Sequence, residues 1–332
     1  MKKISKKGMN EFIQSLMADY IILAPASTDG IFSFKPVSNF EQIDLSYQNS
    51  KKPPKEVFFP QSETMFNYKN GKVESTEKVK QKKILLGIRP CDARANILLD
   101  KVFAGPDHKD VYYTNKRENT IIIGLGCSKS LSTCFCTSFG GGPFSKEGLD
   151  ILLMDIGDKY LAQVITDKGR EVLNHKFREA TREEVRLAEK IKSEAEKRIS
   201  SRVEIEGIKE KLDRMFEDLF WNKLSQECIG CGTCSYLCPT CHCFDIADEA
   251  VNSEGKRVRN WDSCMFPLFT LHTSGHNPRP TGKERMRQRV MHKFNYFVEN
   301  YKEPACVGCG RCIINCPVNM DIRKVLKEIL EV

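Results

Sequence analysis

Cys228, Cys231, Cys234 and Cys238 are followed by Pro239, and Cys306, Cys309, Cys312 and Cys316 are followed by Pro317 with the same spacing. Thiolates two residues apart wrap a tight loop round one face of an iron–sulfur cubane, and the fourth points elsewhere. Gly230, Gly232, Gly308 and Gly310 allow positive φ, which can turn backbone N–H groups toward sulfur. The prolines fix the direction in which the chain leaves the site. Structural zinc uses two separated Cys-x-x-Cys pairs and needs neither a third cysteine at the same interval nor a trailing proline. The two runs therefore predict two 4Fe–4S clusters.

In two-cluster ferredoxins the fourth cysteine ligates the other cluster. That rule assigns Cys228, Cys231, Cys234 and Cys316 to one cluster, and Cys306, Cys309, Cys312 and Cys238 to the second.

A further group comprises Cys91, Cys127, Cys134 and Cys136. Cys91 and Cys127 each follow a short apolar run that reads as a strand. Loops at the carboxyl ends of parallel strands converge on one edge, where cofactors bind. Cys134-Phe135-Cys136 lies in the loop after Cys127 and can return there. The four suit a third 4Fe–4S cluster; the alternative is unligated core cysteine, which is commonly buried.

Cys241, Cys243 and Cys264, with His242, His272 or His276 as a non-cysteine ligand, are candidates for a fourth metal site. Packing or a thiol pair accounts for them equally. Arg285, Arg287, Arg289 and His292 could hydrogen-bond cluster sulfur or neutralise cluster charge; a solvated helix face is the plainer alternative. Gly140-Gly141-Gly142-Pro143 lacks the lysine and serine of a phosphate-binding loop and reads as a turn beside the third cluster.

Composition limits the rest. Fifteen cysteines in 332 residues fall short of the roughly 8–10% of a disulfide scaffold, and clustered thiols without a secretory signal indicate metal in a reducing compartment. Met9 to Tyr20 is amphipathic, interrupted by Asn10, Glu11, Gln14, Ser15 and Asp19, and not a signal core. No run reaches the ~18 apolar residues of a membrane span, so a cytoplasmic, soluble protein is expected. The formal charge of +8 invites a metal-stabilised nucleic-acid-binding reading. Each ligated cubane, however, contributes about −2, so three bring +8 to about +2. No nucleic acid and no membrane partner are expected.

The elements that must position these cysteines define three segments. Residues 1–175 read as an α/β domain with a partly parallel sheet: Ile84–Ile88 and Thr120–Leu125 are buried parallel strands, and Asp150–Ile156 and Tyr160–Ile165 form a hairpin about Gly157-Asp158. Cys91 to Phe103 has helical spacing. Residues 176–224 form a helical linker, opened by the capping box Thr181–Glu184. Its second helix carries Ile208, Leu212, Met215, Phe216, Leu219 and Phe220 on one face. Residues 225–332 hold the paired runs.

The long separation of those runs, with the helix-like stretch Glu284 to Tyr301 between them, resembles the helical ferredoxin domain of the succinate dehydrogenase iron–sulfur protein with a longer insertion. An all-α dicluster domain is therefore expected. Arg89-Pro-Cys-Asp-Ala-Arg-Ala, Cys134-Phe-Cys136, Cys238-Pro-Thr-Cys-His-Cys243, Trp261-Asp-Ser-Cys264, Ser274-Gly-His-Asn-Pro-Arg279, Arg289-Val-Met-His-Lys293 and Cys306-Val-Gly-Cys-Gly-Arg-Cys312 occur in this order. Together they resemble the family that unites the 4Fe–4S dicluster electron-transfer subunit of anaerobic sulfite reductase with the beta subunit of soluble sulfhydrogenases, over nearly the whole chain. The resemblance implies a non-catalytic electron-transfer subunit. Its partners would be an FAD/NAD(P)H-binding flavoprotein and a catalytic redox subunit, either a nickel–iron hydrogenase or a sulfite reductase, or the members of another flavin-based electron-transfer complex. The residues agree: no dinucleotide fingerprint and no Ser/His/Asp arrangement is present.

Overall fold

In the computed structural model, which describes residues 1–75 and 81–332, apolar runs become strands of two sheets. In chain order they are β1 (Lys2–Ser5), β2 (Ile21–Thr28), β3 (Ile31–Val37), β4 (Ser62–Lys69), β5 (Lys72–Ser75) and β6 (Lys83–Ile88). There follow β7 (Thr120–Leu125), β8 (Ile151–Asp155), β9 (Lys159–Val164), β10 (Arg178–Glu179), β11 (Phe244–Val251) and β12 (Glu254–Trp261). The chain divides into two units. One contains Met1–Lys55, Val79–Arg202 and Val307–Cys309, and the other Glu56–Lys78, Val203–Cys306 and Gly310–Val332.

The first unit is built on a mixed sheet in the order β10-β1-β9-β8-β7-β6-β2-β3. Its centre, β2-β6-β7-β8, is parallel, and β8 and β9 form the expected antiparallel hairpin. Every residue of β7 is buried, because helices and loops cover both faces of a parallel sheet. The amphipathic helix Lys6–Leu16, capped by Ser5, buries Met9, Phe12, Ile13 and Leu16 against Ile84, Leu86, Ile121 and Ile123. At the carboxyl end of β6, Gly87 adopts φ +79° and the register with β7 shifts. The bulge opens the strand where Arg89 enters the helix Pro90–Phe103, with proline in its first turn.

The helix Arg182–Arg198 starts at the predicted capping box, in which both reciprocal hydrogen bonds between Thr181 and Glu184 are present. Glu184 also accepts from Lys3 and Lys159. The Thr181 N–H and then Lys3 hold its carboxyl down at about 2, from an ordinary 4.5. A carboxyl depressed on folding stabilises fully above its unfolded pKa and loses that contribution as pH falls through the folded value. Glu184→Gln should therefore lower the melting temperature by a constant amount above about pH 5. That deficit should shrink on acidification toward pH 2, as paired thermal melts would show.

The second unit combines helices with an antiparallel sheet, β11-β12-β4-β5. This corrects the all-α expectation for residues 225–332: β11 and β12 form a hairpin inside that segment, closed at Asn252, which takes φ +56°. Its solvated alternation was masked by charge, since β11 is exposed along most of its length. The hairpin anchors the approach to Cys264. Trp261 stacks on Phe59 at 5.7 Å and donates through Nε1 to the Phe59 carbonyl at 3.0 Å.

The expected second linker helix is also corrected. It is two helices, Ile208–Arg214 and Phe220–Gln226, and Phe216 and Leu219 between them are exposed. Arg287 lies over the Phe216 ring at 3.7 Å and donates to its carbonyl at 2.7 Å, an arrangement a continuous helix would not leave open. Among the described residues no helix is long and apolar enough to cross a membrane.

Candidate metal centres

In the first unit, Cys91, Cys127, Cys134 and Cys136 line one cavity of about 30 Å³. Cys91 lies in the first turn of the helix after β6, and Cys127 follows β7, so two adjacent parallel strands deliver them to one edge. The Cys127 N–H donates to the Pro143 carbonyl at 2.8 Å, tying the glycine-rich turn to the site. Cys136 is buried, and burial together with Cys127 and Cys134 pushes its thiol up to about 12.

Cys309 lines this cavity too. Its loop is held by the Phe135 N–H donating to the Gly308 carbonyl at 2.9 Å, and by Asn49 Nδ2 donating to the Cys309 carbonyl at 3.0 Å. Gly308 sits at φ +61°, where a Cβ would fall 2.5 Å from the Phe135 backbone. Only glycine lets the two cysteine loops approach this closely.

Arg89 also lines the cavity, buried over the Tyr47 ring at 4.3 Å. Its Nη1 donates to the Leu125 and Gly126 carbonyls at 3.4 and 3.0 Å. Arg89 Nε and the hydroxyls of Thr133 and Thr137, which flank the cysteine pair, are buried without a hydrogen-bond partner. Unpartnered buried donors are costly. Inorganic sulfide and thiolate sulfur are the acceptors that a 4Fe–4S group would offer them, so the residues present fit that group.

In the second unit, Cys228, Cys231, Cys234 and Cys316 line a cavity of about 40 Å³, the four that the crossed ferredoxin rule groups together. Cys312, assigned by that rule to the other cluster, lines it as well. Gly230, Gly232, Gly308 and Gly310 all take φ between +61° and +75°. The Gly230 N–H donates to Cys228 sulfur at 3.4 Å, and the Met320 N–H to Cys316 sulfur at 3.2 Å. Burial raises the Cys228 and Cys234 thiols, a cost that ligation would remove because metal binds the thiolate.

A family description, 4Fe-4S dicluster domain, matches residues 227–320, the span of both cysteine runs. Sulfhydrogenase 2 subunit beta of Pyrococcus furiosus is 32% identical, over 99% of this chain and 98% of that protein. The chain belongs to the sulfhydrogenase beta-subunit family. No solved structure matches it. The dicluster domain carries two 4Fe–4S clusters, as its cysteine runs predict.

Within this family member the three cysteines offered for a fourth site are divided. Cys241 hydrogen-bonds Cys238, whereas Cys243 hydrogen-bonds Cys264, which lies 3.8 Å from Ser235 Oγ. The bond to Cys243, against burial and with help from Arg289, lowers the Cys264 thiol to about 6. His242 faces His292, their ring centroids 5.2 Å apart. His272 and His276 pair with each other at 5.4 Å on an exposed loop, and neither has a hydrogen bond or ring contact to Cys241, Cys243 or Cys264.

Sequence reading overlooked Lys293 and underrated Arg89, which stood only as letters of motifs. Lys293 Nζ donates to Cys238 sulfur at 3.3 Å, to Thr240 Oγ1 at 3.0 Å and to the Ala305 carbonyl at 2.9 Å. A signal was there: cations four residues apart, Arg289 and Lys293, in a helix between two cysteine runs.

Proposed function

We propose that this protein relays electrons, one at a time, between an FAD/NAD(P)H-binding flavoprotein and a catalytic partner of hydrogenase or sulfite reductase type in a cytoplasmic complex. The full-length likeness to a sulfhydrogenase beta subunit supports an iron–sulfur electron-transfer role in a sulfhydrogenase-type complex. The observation that carries the reading is the convergence of Cys228, Cys231, Cys234 and Cys316, from two distant runs, on one cavity.

A third cluster, held by Cys91, Cys127, Cys134 and Cys136, belongs to the same reading. Their shared cavity and the unpartnered donors beside it support the assignment. When bound, the clusters supply reversible one-electron chemistry. The chain's own residues hold them, exclude water and set their charge environment.

Anaerobic protein reduced with dithionite, freed of excess reductant and mixed with an oxidised flavoprotein should bleach the flavin by about one electron per cluster. It should neither evolve hydrogen nor reduce sulfite alone. Turnover of either substrate by the isolated chain would overturn the reading.

A further inference from the structure

Two cations are buried side by side in the second unit. Arg289 and Lys293 are 6% and 4% exposed, and their four-residue spacing places them on one helix face, where like charges repel. Among the described residues neither pairs with a carboxylate. An isolated buried ammonium or guanidinium is strongly unfavourable, so the interior must supply the opposite charge.

What surrounds them is sulfur. Lys293 Nζ donates to Cys238 sulfur at 3.3 Å, and Arg289 lines the cavity of Cys228, Cys231, Cys234, Cys312 and Cys316. His292, between them in sequence, is pushed down to about 3, first by burial and then by His242, Lys293 and Arg279. The helix departs from α geometry here: His292–Tyr296 is a π-segment, a rare insertion that recurs at functional sites. From it Lys293 reaches the Cys238-Pro-Thr240 turn while its own carbonyl accepts from Ala305 N–H at 2.8 Å.

We propose that Arg289 and Lys293 are positioning charges that hold the clusters of the dicluster domain at a higher reduction potential, with Lys293 acting through its hydrogen bond to Cys238 sulfur. The inference rests on the dicluster reading. Reduction adds one electron and no proton to a cubane, so each reduced cluster carries one more negative charge. A fixed cation at hydrogen-bond distance from a ligand sulfur favours that state, and removing it favours the oxidised one.

The test is a mediated dithionite titration of the full chain, followed by EPR, on the parent protein, Lys293→Met, Lys293→Arg and Arg289→Gln. Iron is measured on each sample. With iron retained, Lys293→Met should lower the reduced-to-oxidised ratio of one cluster at least tenfold at a given potential, a shift of about 59 mV for one electron. Lys293→Arg should restore most of it, which a purely structural role would not require. Arg289→Gln should shift the same way and serves if Lys293→Met does not fold. Unchanged potentials in iron-replete Lys293→Met, or in iron-replete Arg289→Gln should the former not fold, would overturn the proposal while leaving the dicluster reading intact. Absence of iron from the parent protein would overturn both.

Discussion

Cys316→Ala should remove about four irons per chain and abolish the EPR signal of one cluster, that of Cys228, Cys231 and Cys234, although Cys316 lies in the other cysteine run. The expectation follows from the shared cavity and from the Met320 N–H directed at Cys316 sulfur. A cubane with three thiolates and a solvent-exposed iron loses metal readily, and Cys231 is already exposed. Retention of that cluster, with loss of the one bound by Cys306 and Cys312, would mean that each run serves its own cluster. Iron and sulfide assays with EPR on anaerobic protein distinguish the two.

Cys127→Ala should have an effect of similar size at the other end of the chain. It should remove a further four irons or so, those of the proposed cluster of the first unit, while the two dicluster signals persist. Cys127 is the right probe because it neither belongs to a ferredoxin run nor packs in the sheet: it follows the fully buried strand β7 and is tethered at Pro143. A variant with the parent's iron content would make Cys127 a core thiol. Arg89 sharpens the experiment. Arg89 lines the same cavity and its Nε has no partner, so Arg89→Leu should perturb the EPR line shape of this cluster before that of the others.

The cysteine chemistry was legible because its spacing is local. A two-residue interval prescribes a loop, and repeating that loop is the basis for expecting Cys316 to ligate across. Strands β6 to β9 were equally legible, as continuous apolar runs with turn signals. Strands β4, β5, β11 and β12 were not, because most of their residues stay exposed or half-buried and give no continuous apolar run. What decides them is cross-strand pairing, such as Arg259 with Glu63 at 2.7 Å, across nearly two hundred residues. The placement of Cys309 beside the cysteines of the first unit was hidden for the same reason: it depends on Gly308 meeting the Phe135 backbone, a contact with no local signature. The roles of Arg89, Arg289 and Lys293 depend on burial, which a charged residue in a sequence gives no reason to expect.

Iron, acid-labile sulfide and zinc measured together on the full chain, purified without oxygen, test the central claim most directly. The account predicts brown protein with about twelve irons and twelve sulfides per chain, bleached by dithionite, and no stoichiometric zinc. Colourless protein holding zinc in the cysteine runs would contradict it.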